Sequence, residues 1–120
     1  MKNSLCVAML AFALAACRET PDETAADVAD ARREGAENVQ EADRAAREAR
    51  PGDRADAEFE LAQARAKAAL EVEQERCDGL PADLRPSCKD NAKAVHDRAI
   101  AEARRLHALS QRPATGDRAD

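Results

Sequence analysis

Between Cys17 and Asp120 the chain carries only twelve large apolar residues: Val28, Val39, Phe59, Leu61, Leu70, Val72, Leu80, Leu84, Val95, Ile100, Leu106 and Leu109. That is too few for a globular core of ordinary density. With 36% of the whole 120-residue chain charged, such a composition usually leaves a chain unfolded. Alanine, glutamate, arginine and glutamine fill the remainder, however, and these residues favour helix through their own backbone and rotamer preferences. No stretch shows the alternation of a strand. The reading is therefore all-α, elongated and thinly packed.

Punctuation residues divide the chain. Thr20-Pro21-Asp22-Glu23 has the form of a capping box with proline at the first helical position, opening a helix over about 21–50 that Pro51-Gly52 stops. Asp53 is placed to cap a second helix, about 54–77, and Gly79 suits the left-handed position just past a helix end. Ser87, with Asp90 three residues on, predicts a third helix over about 88–110. Residues 111–120 show no apolar period and are expected to be a disordered tail.

The segment CDGLPADLRPSC joins the second and third helices. The meaning of its two thiols depends on compartment, and the N-terminus MKNSLCVAMLAFALAACRET supplies one. A short positive region at Lys2 precedes an apolar run from Leu5 to Ala16, which is the pattern of a secretory signal and is too short to span a bilayer. Leu14-Ala15-Ala16-Cys17 resembles the lipobox of bacterial lipoproteins. By that resemblance residues 1–16 are removed, Cys17 receives the lipid, and 17–20 become a lipidated tether. Arg18 stands where inner-membrane lipoproteins commonly carry aspartate, so the resemblance implies the periplasmic face of the outer membrane.

In an oxidising envelope, Cys6 leaves with the signal and Cys17 is acylated, so Cys77 and Cys88 remain as partners. A zinc site would need two more ligands, and His96 and His107 lie too far apart along the third helix to share one ion. A redox pair would take the Cys-x-x-Cys form beside a βαβ unit. A structural disulfide is the preferred reading over both, and no metal or cofactor is expected.

Helical periodicity agrees with that pairing. Phe59, Ala62, Ala66, Leu70 and Cys77 share one face of the second helix at ~100° per residue. Cys88, Ala92, Val95, Ala99, Ala103 and Leu106 share one face of the third. Folded antiparallel about Cys77–Cys88, this coiled-coil hairpin sets Leu70 against Val95, Ala66 against Ala99, Ala62 against Ala103 and Phe59 against Leu106. A hairpin unit over 53–110 follows.

Two arrangements remain open for the first helix. A tight turn at Pro51-Gly52 would dock Gly35 on Ala68, Val39 on Ala64, Ala42 on Leu61 and Ala46 on Ala57, making a flat row of three helices. Alternatively the first helix stays extended as a stalk, leaving Leu61 and Val72 for a partner or a second copy.

The run from Ala64 to Ala103 is similar to a motif in small proteobacterial envelope proteins, alanine- and charge-rich helices around a Cys-x10-Cys segment. The matching residues are Cys77, Asp78, Leu80, Cys88, Ala92 and Lys93. The resemblance implies a helical hairpin and carries no activity. The prolines inside the loop depart from it and predict a broken turn. The chain resembles the major murein lipoprotein only as a helical lipoprotein. It ends in Arg118-Ala119-Asp120 rather than a wall-attaching lysine.

Function classes narrow accordingly. From Cys17 onward, 18 basic residues face 24 acidic ones, the wrong sign for a nucleic-acid surface. No nucleophile elbow, phosphate loop or zinc-protease motif occurs. Ser110 and His107 share a helix with no walled pocket expected, and both histidines read as surface residues. The expectation is a non-catalytic envelope lipoprotein, structural or interacting, held to the membrane through Cys17. The alternative is a periplasmic binding module, inhibitor or chaperone-like adaptor whose acidic hairpin captures a protein or basic ligand. Oligomeric state is left open.

Overall fold

In the computed structural model, which describes residues 20–112, three helices follow in order: α1 (Pro21–Glu48), α2 (Arg54–Asp78) and α3 (Arg85–Ser110). The expected signal segment and lipidated tether, with Cys17, and the expected tail beyond Arg112 lie outside the described residues. The capping box that opens α1 forms as its sequence dictates. Glu23 N–H donates to Thr20 Oγ1 at 3.3 Å, and Thr20 N–H donates to Glu23 Oε2 at 2.8 Å.

A three-residue turn reverses the chain at Pro51-Gly52-Asp53, tightened by Asp53 N–H donating to the Arg50 carbonyl at 2.9 Å. Asp53 holds the cap position of α2 without a side-chain cap bond. At the second reversal the Cys77–Cys88 disulfide is formed, with the two Cα atoms 5.6 Å apart and Cys77 fully buried. Lys89 Nζ meets Asp78 Oδ1 at 2.6 Å beside it. Arg85 Nε donates to the Leu80 carbonyl at 2.8 Å across the turn.

Three boundary expectations are corrected. Helix α3 opens at Arg85, three residues before the expected Cys88, because Pro86 sits in its first turn, where a missing N–H costs nothing. The Ser87 hydroxyl accordingly donates back to the Leu84 carbonyl at 3.1 Å rather than capping. Gly79 is right-handed, with φ −73°. Its smallness serves a close approach instead, since a Cβ there would lie 2.6 Å from the Thr24 methyl of α1. Gln111, expected in the free tail, donates to Asp56 Oδ1 at 3.2 Å.

The first helix is docked. Gly35 and Ala68 meet so closely that a Cβ on Gly35 would lie 2.7 Å from the Ala68 Cβ, the partner expected from a tight turn at Pro51-Gly52. Thr24 against Gly79 continues the same register to the other end, and Asp43 and Arg65 approach to 3.9 Å across the interface. Val28, Gly35, Ala46 and Leu61 are buried there. Among the described residues α1 packs only on α2, and α3 packs only on α2. The fold is a flat antiparallel row, so each outer helix covers one side only.

Candidate functional site

Because the row runs up, down and up, it has two distinct ends. Thr20 and the 79–84 turn share one, while the 49–53 turn and Ser110 share the other. The stapled turn therefore lies beside the start of α1, not at the far tip of a stalk.

The far end closes on a contact the sequence reading missed. His107 stacks on Phe59, with ring centroids 5.0 Å apart and planes inclined by 29°. Its Nε2 lies 2.6 Å from Asp56 Oδ1. His107 is thus a cross-helix clasp rather than a flanking surface residue, and it takes the place expected for Leu106 against Phe59. An aromatic beside an imidazole in register was the available signal. The Ser110 hydroxyl donates to the His107 main-chain carbonyl at 2.6 Å, so it faces no general base through that bond. His96 Nδ1 lies 3.2 Å from Asp97 Oδ1, and Asp97 also accepts from Lys93 Nζ at 2.6 Å. Those bonds, Lys93 first, hold the Asp97 carboxyl below its ordinary range. Among the described residues no three His, Cys, Asp or Glu side chains gather as a metal site would require.

The α2–α3 seam is also corrected. Ala66, Cys77, Ala92 and Ala103 are buried, and Phe59, Ala62 and Leu70 are half-buried, but Val95 is 61% exposed, Leu106 54%, and Ala99 exposed. On α3 the covered stripe runs through Ala92, His96, Ile100, Ala103 and His107. That stripe is turned by roughly 60° from the expected one, at ~100° per residue. The cause is the Phe59–His107–Asp56 clasp at one end together with alanines that allow close helix approach between. The displaced residues face sideways out of the row.

There Val95 and Ala99 line an open apolar trough of about 660 Å³ beside the disulfide, walled also by Leu70, Leu80 and Leu84. The large apolar residues most exposed in the fold are Leu84, Val95, Leu106 and Leu109, all carried by α3 or its cap. Leu84 and Leu109 are counted among the large apolar residues but given no face by the sequence, although Leu84, Val95 and Leu106 stand eleven residues apart. Eleven residues make just over three whole turns, which places them in one stripe. This trough and stripe form the candidate site, an apolar surface open to solvent beside the disulfide, with Glu73, Ser87 and His96 also in the trough's lining.

No family model, curated protein or solved structure matches this chain.

Proposed function

We propose that this chain is a membrane-anchored envelope lipoprotein that acts as a structural or docking protein without catalysis. The observation that carries the reading is Leu14-Ala15-Ala16-Cys17 at the end of an apolar leader. Two features of the fold support it. The capped start of α1 at Pro21 follows Cys17 closely enough to leave a tether of only a few residues. Among the described residues, no helix is long and apolar enough to cross a membrane, so attachment by lipid would supply the contact. In this reading the outer membrane's periplasmic face is the address, and the oxidising space there maintains the Cys77–Cys88 bond.

The test is Cys17→Ser. It should remove acyl incorporation and move the chain from the membrane to the soluble fraction. A Cys17→Ser protein that stays membrane-bound and normally processed would refute the anchor.

A second reading, a periplasmic binding module or adaptor, draws on the apolar trough beside Leu84 and Val95. A discrete, stoichiometric envelope partner lost on substitution within that trough would favour it over a purely structural role.

A further inference from the structure

We infer that the exposed face of the α2–α3 hairpin binds a second copy of this chain, antiparallel, on a two-fold axis at Val95. The first ground is what the row leaves uncovered. Helix α3 packs on α2 alone, and its stripe of Leu84, Val95, Leu106 and Leu109 stands between 45% and 61% exposed. Leu70 and Ala99 extend that stripe across the trough. A chain with so few large apolar residues leaves a third of those that follow Cys17 on one side of one helix. Contiguous apolar surface of this kind marks an interaction site.

The second ground is that the surface complements itself. A two-fold interface must pair each residue with the partner of its partner. Leu84 and Leu106 each lie eleven residues from Val95, on opposite sides. An antiparallel copy therefore sets Leu84 on Leu106, Leu106 on Leu84 and Val95 on itself. Leucine meets leucine without a gap.

Charge selects this direction over a parallel one. Glu102 is the carboxylate in the stripe, and parallel pairing would oppose it to its own copy. In the antiparallel register Glu102 comes level with Cys88, one residue from Ser87, and Arg98 level with Ala92, one residue from Asn91, so neither meets a like charge. Glu102 also accepts from Arg105 Nε at 2.9 Å and Nη2 at 2.7 Å on its own helix, a pair that the antiparallel register leaves intact.

The area suffices. A two-helix face about 39 Å long and 18–20 Å wide offers about 700–800 Å² per copy. Doubled, that lies within the range of stable specific interfaces. Stacked this way, the two hairpins form a four-helix layer with the trough filled by the other copy's α3.

Sedimentation equilibrium of the Cys17→Ser chain should give the mass of two chains. Val95→Asp and Leu106→Asp should each halve it while leaving the helical signal unchanged, since both side chains are exposed within the monomer. Ala108→Asp, exposed on another side of α3, should leave the mass at two chains. Val95→Cys should cross-link to itself. Leu84→Cys should cross-link to Leu106→Cys in a mixture and to neither of these alone. A one-chain mass into the submillimolar range would overturn the proposal. So would cross-linking of Leu84→Cys to itself, which only parallel packing allows.

Discussion

The carboxylate of Glu23 lies at the positive end of α1 and accepts from the N–H and the hydroxyl of Thr20, which lowers its pKa. A carboxyl lowered in the folded state stabilises above its unfolded value, here the ordinary 4.5, and that contribution disappears as pH falls through the lower folded value. Thr20→Ala should cost about 1 kcal/mol through loss of the cap. Glu23→Gln should flatten the acid side of the stability curve, and thermal melts followed by circular dichroism between neutral and acid pH check both. At the far end, Phe59→Ala removes the ring under His107 and part of the contact between α2 and α3. It should destabilise by about 3 kcal/mol, near the lower limit for a truncated aromatic because Phe59 is only half-buried. His107→Ala should lose much of the same energy, so the double variant should fall well short of additive.

Among elements, α1 depends on one close approach. Glycine inside a helix costs about 1 kcal/mol relative to alanine, and Gly35 persists because the Ala68 Cβ occupies the space its own would need. Gly35→Val should therefore loosen α1 from α2 at a cost of about 1–3 kcal/mol, as overpacking does. Adding Ala68→Gly should restore part of that loss, and melting temperature with protease susceptibility of the 49–53 turn would follow it. A drop that Ala68→Gly leaves unchanged would assign the effect elsewhere. Reducing Cys77–Cys88 should lower stability by roughly 3 kcal/mol on the chain-entropy account, readable as a lower melting temperature with thiols newly available to alkylation. These elements were legible to different degrees. Capping residues, prolines and the cysteine pair act locally, so Thr20, Pro51-Gly52 and Cys77–Cys88 declared the helices and one reversal. The docking of α1 could be aligned but not decided, because alanine fits alanine in nearly any register and only Gly35 and Gly79 discriminate. The rotation of α3 was hidden for another reason. Large apolar residues were assumed to face the covalent partner, whereas the alanines pack closest and the clasp at His107 turns Val95, Ala99 and Leu106 outward.

For the whole molecule, the ends of the row tie the proposed anchor to the proposed pairing. Thr20 and the 79–84 turn lie together, with Thr24 against Gly79. A lipid on Cys17 would thus hold the stapled turn within about 14 Å of the bilayer, the reach of four extended residues. A single anchor restrains that end alone, and the far end of α3 lies ~39 Å away. In an antiparallel pair, Ala108 of one copy comes beside Ala82 of the other, so two anchors hold both ends and the pair lies lengthwise on the membrane. Fluorophores attached through Ala82→Cys or Ala108→Cys, in lipidated chain reconstituted with headgroup-quenching lipids, distinguish these cases. Both positions should be quenched alike. With Val95→Asp added, quenching should persist at Ala82→Cys and fall at Ala108→Cys, because the separated chain keeps one anchor at the turn. Should Ala108→Cys remain unquenched while the chain still sediments as a pair, the two copies stand parallel and the Val95 axis is wrong. If neither position responds and the protein does not partition with the vesicles, the anchor itself fails, whatever the state of association.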